Sequence, residues 1–318
     1  MTCEQFDHIV LGAGMRGLHA AVHWRRLHPT GQLLVVDAAP APGGSLRTQR
    51  TNGFACELGP FAFTREELAP ILGLLTTPPQ PIAALPAARS GLLRTATGNR
   101  PLAVTPEPLS FRSGIEELPQ ACRRELGNAL RLGRAATRLD HDGTGFVVTL
   151  DGQVETTVAA TQLTVALPDR TAARLLARFD PALGDVAARI TESERAFAFF
   201  GGARPDWPDL AGYGIVPDDG IESPLTELIF CSEVFPGRAM AGRFLVRAEI
   251  ADAPASVPEP ELLAIAAAEV RRWTGTRAPF GLQKLHRFVI EAPDGHRVET
   301  RQRLASLCGR VPGFAVAP

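Results

Sequence analysis

The residues near the start of the chain best suited to chemistry are three glycines followed by an acid. Gly12, Gly14 and Gly17 stand in the run Gly-Ala-Gly-Met-Arg-Gly, with Ala13, Met15 and Arg16 between them. Ile9, Val10 and Leu11 before the run are β-prone and apolar. Leu18, Ala21, Val22 and Arg25 after it share one helical stripe, and Pro29-Thr30-Gly31 breaks that helix. A strand, a glycine turn and a helix start together form an anion site. Gly12 allows the tight turn, Gly14 has no side chain to hold a phosphate off the backbone, and Gly17 lets the helix lie close to the strand. The helix N-terminus adds free N–H groups and a partial positive charge, both suited to a pyrophosphate. Leu33 to Val36 is a second apolar strand, ended by Asp37. An acid at that distance accepts hydrogen bonds from an adenosine ribose. Its charge also repels a 2′-phosphate, which argues against an NADP-type nucleotide.

Composition narrows the class. The chain has 318 residues, 45% of them hydrophobic, and a net charge of −1, which allows a sizeable core and up to two domains. This balance gives no electrostatic case for nucleic acid. Nearly all basic residues are arginine, and Lys284 is the only lysine. Cys3, Cys56, Cys122, Cys231 and Cys308 are scattered, odd in number and without metal-ligand spacing, so the expectation is a reducing, cytoplasmic setting without a disulfide framework or metal site. No apolar run reaches membrane-spanning length, and the first strand begins too early to leave room for a signal peptide.

Past Asp37 and Ala38, the chain reads Pro-Gly-Gly-Ser-Leu-Arg-Thr over residues 42–48 and Gly-Phe-Ala-Cys-Glu-Leu-Gly-Pro over 53–60. This ordered set resembles the flavin-containing amine oxidase superfamily, and within it the protoporphyrinogen oxidase branch. The resemblance implies an α/β fold: a Rossmann-like FAD-binding domain and a second, smaller α+β substrate domain built on an antiparallel sheet. It implies FAD as cofactor, held by Gly12, Ala13, Gly14, Met15, Arg16, Gly17, Asp37 and Ala38. Gly43, Gly44 and Ser45 would lie near the ribityl and pyrophosphate groups, Arg47 beside the flavin, and Gly59 and Pro60 near the isoalloxazine. Ala135 to Leu139 fall where the family places a backbone clasp on the adenine, which gives Ala136 that role.

The rest of the chain supplies the elements that position these residues. The expected organisation is a nucleotide-binding domain over 1–190, a substrate-type sheet over 191–292 and a return to the first domain over 293–318. Residues 64–112 replace the long helical block of the resembling enzymes with a reduced, proline-broken lid. Thr64 and Glu67 signal a capped short helix, and Ser113 with Glu116 a capping box for a helix along Leu118, Cys122 and Leu126. Phe146 to Leu150, a two-residue Asp151-Gly152 turn and Gln153 to Val158 read as a hairpin. Leu163 to Pro168 reads as a buried strand, and Arg195–Phe200, Leu225–Cys231 and Phe244–Ile250 as β-rich runs of an antiparallel sheet. With the lid so short, Phe197, Phe199, Leu228 and Phe230 are expected to lie bare, to be covered by a second copy or another partner chain. Against the family pattern, the chain stops at Pro318, where the last flavin-contacting motif is expected; weaker FAD binding is the corresponding expectation.

The reading is an FAD-dependent oxidoreductase, an oxidase or dehydrogenase, acting on a small organic molecule, with no membrane or nucleic-acid partner. No catalytic residue is assigned. Lys284 does not fall where amine oxidases keep their lysine, Tyr213 is the only tyrosine, and His286 and His296 are lone histidines. The alternative is a flavoprotein-like scaffold with weak or no cofactor binding, acting as a non-redox biosynthetic or partner-binding protein.

Overall fold

Runs of β-branched and leucine residues broken by glycine set out the first sheet. The computed structural model describes residues 3–167, 169–291 and 297–317. In chain order the first elements are β1 (Glu4–Leu11), α1 (Met15–Leu27), β2 (Leu33–Asp37), β3 (Thr48–Thr51) and β4 (Phe54–Glu57). Next come α2 (Arg65–Leu72), β5 (Pro81–Ala83), β6 (Ser90–Thr95), β7 (Gly98–Ala103) and β8 (Leu109–Phe111). They are followed by α3 (Glu117–Leu126), β9 (Leu130–Leu132), β10 (Ala136–His141), β11 (Phe146–Leu150), β12 (Thr156–Val165), α4 (Asp169–Phe179) and α5 (Pro181–Ala187). The later part holds β13 (Glu192–Ala203), β14 (Gly214–Pro217), β15 (Leu225–Ile229), α6 (Cys231–Val234), β16 (Arg243–Ile250) and α7 (Glu259–Thr274). It closes with β17 (Leu282–Glu291), α8 (Arg297–Cys308) and β18 (Phe314–Val316).

The first sheet runs β10-β11-β12-β1-β2-β9, with β18 beside β12. β1 pairs in parallel with β2 and β12, β2 with β9, and β12 with β18. Parallel strands linked through helices are covered on both faces, so their residues are apolar without alternation. Ile9 and Leu11 join one core with Leu34 and Val36, while Val10 and Val35 join another with Leu18 and Val22 of α1. The expected hairpin forms with a longer loop: Leu150 pairs with Thr156, leaving 151–155 between the strands. Asp151 is drawn aside because its N–H donates to the Ala135 carbonyl while its carboxylate accepts the Ala135 N–H. The expected strands on either side of Ala159 are one continuous β12.

The second sheet runs β17-β13-β16-β15-β14-β6-β7 and is antiparallel apart from the β14–β6 pair. Residues 90–103, expected in the reduced lid of the first unit, therefore belong to this sheet. Phe197, Phe199, Leu228 and Phe230, expected bare, are all at most 4% exposed within the chain itself. Phe200, Leu228 and Phe230 pack under α7 with Leu262, Val270 and Trp273. Phe197 and Phe199 face the other way, onto Phe54, Leu58 and Phe61 of β4 and the loop after it. Burial of each such phenylalanine stabilises the fold by about 2 kcal/mol. These residues need no second chain to cover them.

The Thr64–Glu67 capping box of α2 forms as its sequence requires. The Ser113–Glu116 box does not. Arg50 takes both the Glu116 carboxylate and the Ser113 carbonyl, and Glu117 receives the Ser113 N–H, so α3 starts three residues later than that box would place it, with no side-chain cap.

Candidate functional site

The three glycines of the first turn do three separate things. Gly12 has φ +106°, and a Cβ there would meet the Ala166 carbonyl oxygen at 2.6 Å. A Cβ on Gly17 would lie 1.9 Å from the Gly12 carbonyl oxygen, so the helix can touch the turn only because Gly17 has none. Gly14 caps α1 with ordinary dihedrals, and a Cβ there would meet nothing within 4 Å. Two glycines are therefore fixed by the fold, while the third faces open space at a helix start with no acid in its first turn.

That space is a cavity of about 910 Å³. Along one side it is lined by Gly12, Gly14, Met15, Arg16, Asp37, Ala38 and Ala39. Gly43, Gly44 and Ser45 continue the wall. The two glycine motifs are joined by backbone: Gly43 N–H donates to the Ala13 carbonyl at 2.7 Å, and a Cβ on Gly44 would lie 3.2 Å from the Gly14 Cα. Asp37 accepts from Ala13 N–H at 2.6 Å and from Ala39 N–H at 2.7 Å, one with each oxygen. The far end of the cavity reaches the second sheet at Glu192, Val289 and Ile290, and α8 at Leu304 and Ala305.

Ala13 and Gly17 lie behind the wall rather than on it. Arg47, Gly59, Pro60 and Ala136 are not on the cavity lining either. Gly59 packs on it from outside, since a Cβ there would meet the Ser45 carbonyl oxygen at 2.2 Å. Pro60, next to Gly59, and Arg47, just before β3, are both exposed. Ala136 begins β10, opposite Leu150, and packs on the first core. Glu192, Val289, Ile290 and Leu304 come from three distant elements, and no spacing in the sequence links them.

A buried polar network fixes the loop that carries Gly59. Glu57 is 1% exposed and pairs with Arg238, which is 0% exposed, at 2.9 Å. Thr48 donates to the same carboxylate at 2.6 Å, and Arg238 also donates to Ser110 at 2.8 Å. Arg247, itself buried, donates to the Gly59 carbonyl at 2.6 Å and to Glu227 at 3.0 Å, with its guanidinium 4.0 Å from the centre of the Phe197 ring. The sequence reading assigned no role to Glu57, Arg238 or Arg247. Buried charges survive only when paired and hydrogen-bonded, and these are.

The other candidate groups are quiet. Burial pushes the Cys56 thiol up to about 12 and also raises that of Cys231, so neither is a thiolate nucleophile at neutral pH. All five cysteines are free. Burial likewise raises the Tyr213 phenol, which packs edge-on to Phe61. His286 is half-buried on β17, and burial followed by the charges of Arg47 and Lys284 lowers its pKa. His296 lies outside the described residues. Among the described residues no helix is long and apolar enough to cross a membrane, and no cluster of three or more His, Cys, Asp or Glu could hold a metal ion.

An FAD fits this geometry on three counts: an open Gly14 at a helix start, a second glycine wall hydrogen-bonded to the first, and a cavity long enough to run from Asp37 to the second sheet. Comparison with known proteins agrees. Residues 10–75 match an NAD(P)-binding Rossmann-like domain, and residues 72–292, more than half of the chain, match the family of flavin containing amine oxidoreductases. Among solved structures, a protein from Exiguobacterium sp. 255-15 assigned as a protoporphyrinogen oxidase aligns over 99% of this chain and 94% of its own, with TM-score 0.82 and 13% identity. Putrescine oxidase bound to putrescine aligns over 99% and 94%, with TM-score 0.73 and 12% identity. Reduced UDP-galactopyranose mutase aligns over 98% and 89%, with TM-score 0.74 and 12% identity. At these identities the structural likeness concerns the fold.

Proposed function

The chain belongs to the flavin containing amine oxidoreductase family and is an FAD-dependent oxidoreductase, and from that premise we propose that it oxidises a small organic molecule at the junction of its two sheets. The observation that carries this reading is the continuity of the cavity. One wall runs from Asp37 past Gly14 to Gly43–Ser45, and the space ends against β13 and β17 of the second sheet.

When bound, the flavin supplies hydride acceptance from a substrate C–H bond and passes the electrons to an acceptor. The protein's own residues position and insulate. The α1 N-terminus and the open Gly14 receive the pyrophosphate. Asp37 keeps lone pairs free after its two backbone bonds, so it can orient a ribose hydroxyl and repel a 2′-phosphate. Gly43, Gly44 and Ser45 bring backbone against the middle of the cofactor. Arg247 holds Gly59 from behind and fixes the edge of the loop beside the reacting end. Glu192, Val289 and Ile290 border the far end of the cavity, where a substrate would enter beside the second sheet.

Anaerobic mixing of the flavin-loaded protein with candidate amines, amino acids and tetrapyrrole precursors tests this reading. Loss of the oxidised-flavin absorbance with one of them is the expected result. A flavin that is bound but reduced by none of these classes would exclude them as substrates and direct the search to other C–H donors.

A further inference from the structure

We infer that Glu227 is a positioning residue for the cofactor: through Arg247 it holds the Gly59 loop against Ser45 of the cavity wall, and so couples a solvent-reached carboxylate of the second sheet to the flavin. The inference rests on the oxidoreductase reading above and adds to it a residue that acts on the cofactor from a distance.

Arg247 leaves β16 on the same face as Leu245, opposite Phe199 of β13, and so points toward β4 and the loop after it. There its guanidinium lies 4.0 Å from the centre of the Phe197 ring and 5.3 Å from that of Phe61. One terminal nitrogen donates to the Gly59 carbonyl at 2.6 Å and reaches the Glu57 carbonyl at 3.4 Å. The other donates to Glu227 of β15 at 3.0 Å. On its other side Gly59 has no room to retreat. A Cβ there would meet the Ser45 carbonyl oxygen at 2.2 Å, and Ser45 lines the cavity. Leu58 N–H donates to the Arg47 carbonyl at 2.8 Å, which ties the same loop to the segment that carries Ser45. The loop is thus held between the cavity wall and one guanidinium, and a shift of the guanidinium is passed to the wall.

Two ion pairs flank this loop, and they differ in access. Glu57 and Arg238 are sealed from solvent, so their geometry is fixed once the chain folds. In the second pair Arg247 is 4% exposed but Glu227 is 25% exposed, so water and solutes reach its carboxylate end. Packing alone does not require a charge here. An apolar side chain in place of Arg247 would fill the space among Phe61, Phe197 and Ile229 without burying an ion, but it could not hold a carbonyl. The place of Glu227 is uneasy as well. It stands directly opposite Glu249 in the β15–β16 register, and like charges facing each other across strands destabilise a sheet. Glu249 is taken by Arg195 at 2.7 Å, while Glu227 turns to Arg247. Burial raises the proton affinity of Glu227, Arg247 opposes this, and Glu249 adds to it. The carboxylate that orients Arg247 is therefore the adjustable member of the relay.

The test reads FAD itself rather than turnover. Titration gives FAD affinity, the shape of the visible band reports the flavin's surroundings, and the melting temperature of the flavin-free protein reports the fold. Glu227→Gln keeps the side-chain shape and removes its charge. It is expected to weaken FAD binding by about threefold or more and to alter the flavin band, with the flavin-free melting temperature unchanged. Glu249→Gln is the control, a carboxylate on the same face that bonds Arg195 instead, and it should leave affinity and band shape as in the parent. In an Arg247→Gln background the effect of Glu227→Gln should vanish, because the relay is already cut. FAD binding indifferent to Glu227→Gln would overturn the inference, and so would a loss confined to the melting temperature, which would make the pair structural only. An equal effect from Glu249→Gln would also overturn it, by assigning the change to the field of the whole face. The two carboxylate variants decide the matter even where Arg247→Gln does not fold. A parent protein that binds no FAD would overturn the function proposed above together with this inference, whereas bound FAD that ignores Glu227 would overturn this inference alone.

Discussion

The Asp37 carboxylate accepts the backbone N–H of Ala13 at 2.6 Å, so the acid at the end of β2 also clamps the glycine turn at the end of β1. Its second oxygen accepts from Ala39 at 2.7 Å. One side chain therefore shapes the turn and faces the cavity. Asp37→Ala removes both backbone bonds and the ribose acceptor. Each hydrogen bond to a charged group is worth about 1.5–3 kcal/mol, so FAD affinity should fall at least about tenfold and unfolding free energy by roughly 2 kcal/mol. Asp37→Asn, which keeps one acceptor oxygen, should lie between. Titration calorimetry and urea denaturation read the two effects, and unchanged affinity in Asp37→Ala would remove the ribose assignment.

The glycines separate fold from binding. Gly14→Ala places a methyl in open space at a helical N-cap, so thermal stability should stay close to that of the parent while FAD affinity drops. Gly17→Ala drives a methyl into the Gly12 carbonyl and should cost about 2 kcal/mol or more in stability whether or not FAD is present. Melting curves with and without FAD distinguish them. The assignment fails if Gly14→Ala retains full affinity.

The Glu57–Arg238 pair is completely buried, so removing one partner strands the other charge. Glu57→Gln and Arg238→Met should each destabilise by roughly 3–5 kcal/mol. The double variant should cost clearly less than the sum of the two. A double-mutant cycle in urea measures this coupling, and additive losses would show that the pair is not a unit.

His8 gives a pH dependence with a defined sign. It is 7% exposed, hydrogen-bonds Thr164 at 2.9 Å and has its pKa lowered to about 4, chiefly by burial and then by the charge of His28. Its pKa in the unfolded chain is about 6.5, so between these values the unfolded state binds more protons. Stability from this group is therefore complete above pH 6.5 and is lost as pH falls toward 4, by up to about 3 kcal/mol. Denaturation of the parent and of His8→Gln at pH 7 and pH 5 should show a smaller acid loss in the variant. Equal losses would place the sensitivity elsewhere.

The sequence made the nucleotide half legible because its chemistry is local. Gly12, Gly14, Gly17 and Asp37 lie within one strand–turn–helix–strand unit, where backbone conformation dictates residue type. Individual strands such as β1, β2, β13 and β16 were legible as apolar runs, while the antiparallel second sheet was expected from those runs together with the family resemblance. What stayed hidden is what long-range contact creates. Glu192, Val289 and Leu304 meet only because β13, β17 and α8 end at the same place. Arg238 finds Glu57 across 181 positions, and neither residue type signals a buried pair in advance. The expectation of bare phenylalanines failed for a related reason. Residues 84–88 and the loop around Phe61 fold over Phe197 and Phe199, and α7 covers Phe230, none of which the length of the lid segment reveals. The Ser113–Glu116 box was lost to Arg50, a competitor more than sixty residues away.

The most direct test of the central claim is the FAD content of the purified chain, read from its visible absorption spectrum and from the mass and amount of cofactor released on denaturation. The account predicts oxidised-flavin bands and one FAD per chain, either as isolated or after reconstitution, with both lost in parallel on Gly14→Ala. A colourless protein that cannot be reconstituted, or one that binds flavin equally well with Gly14 replaced, would contradict it.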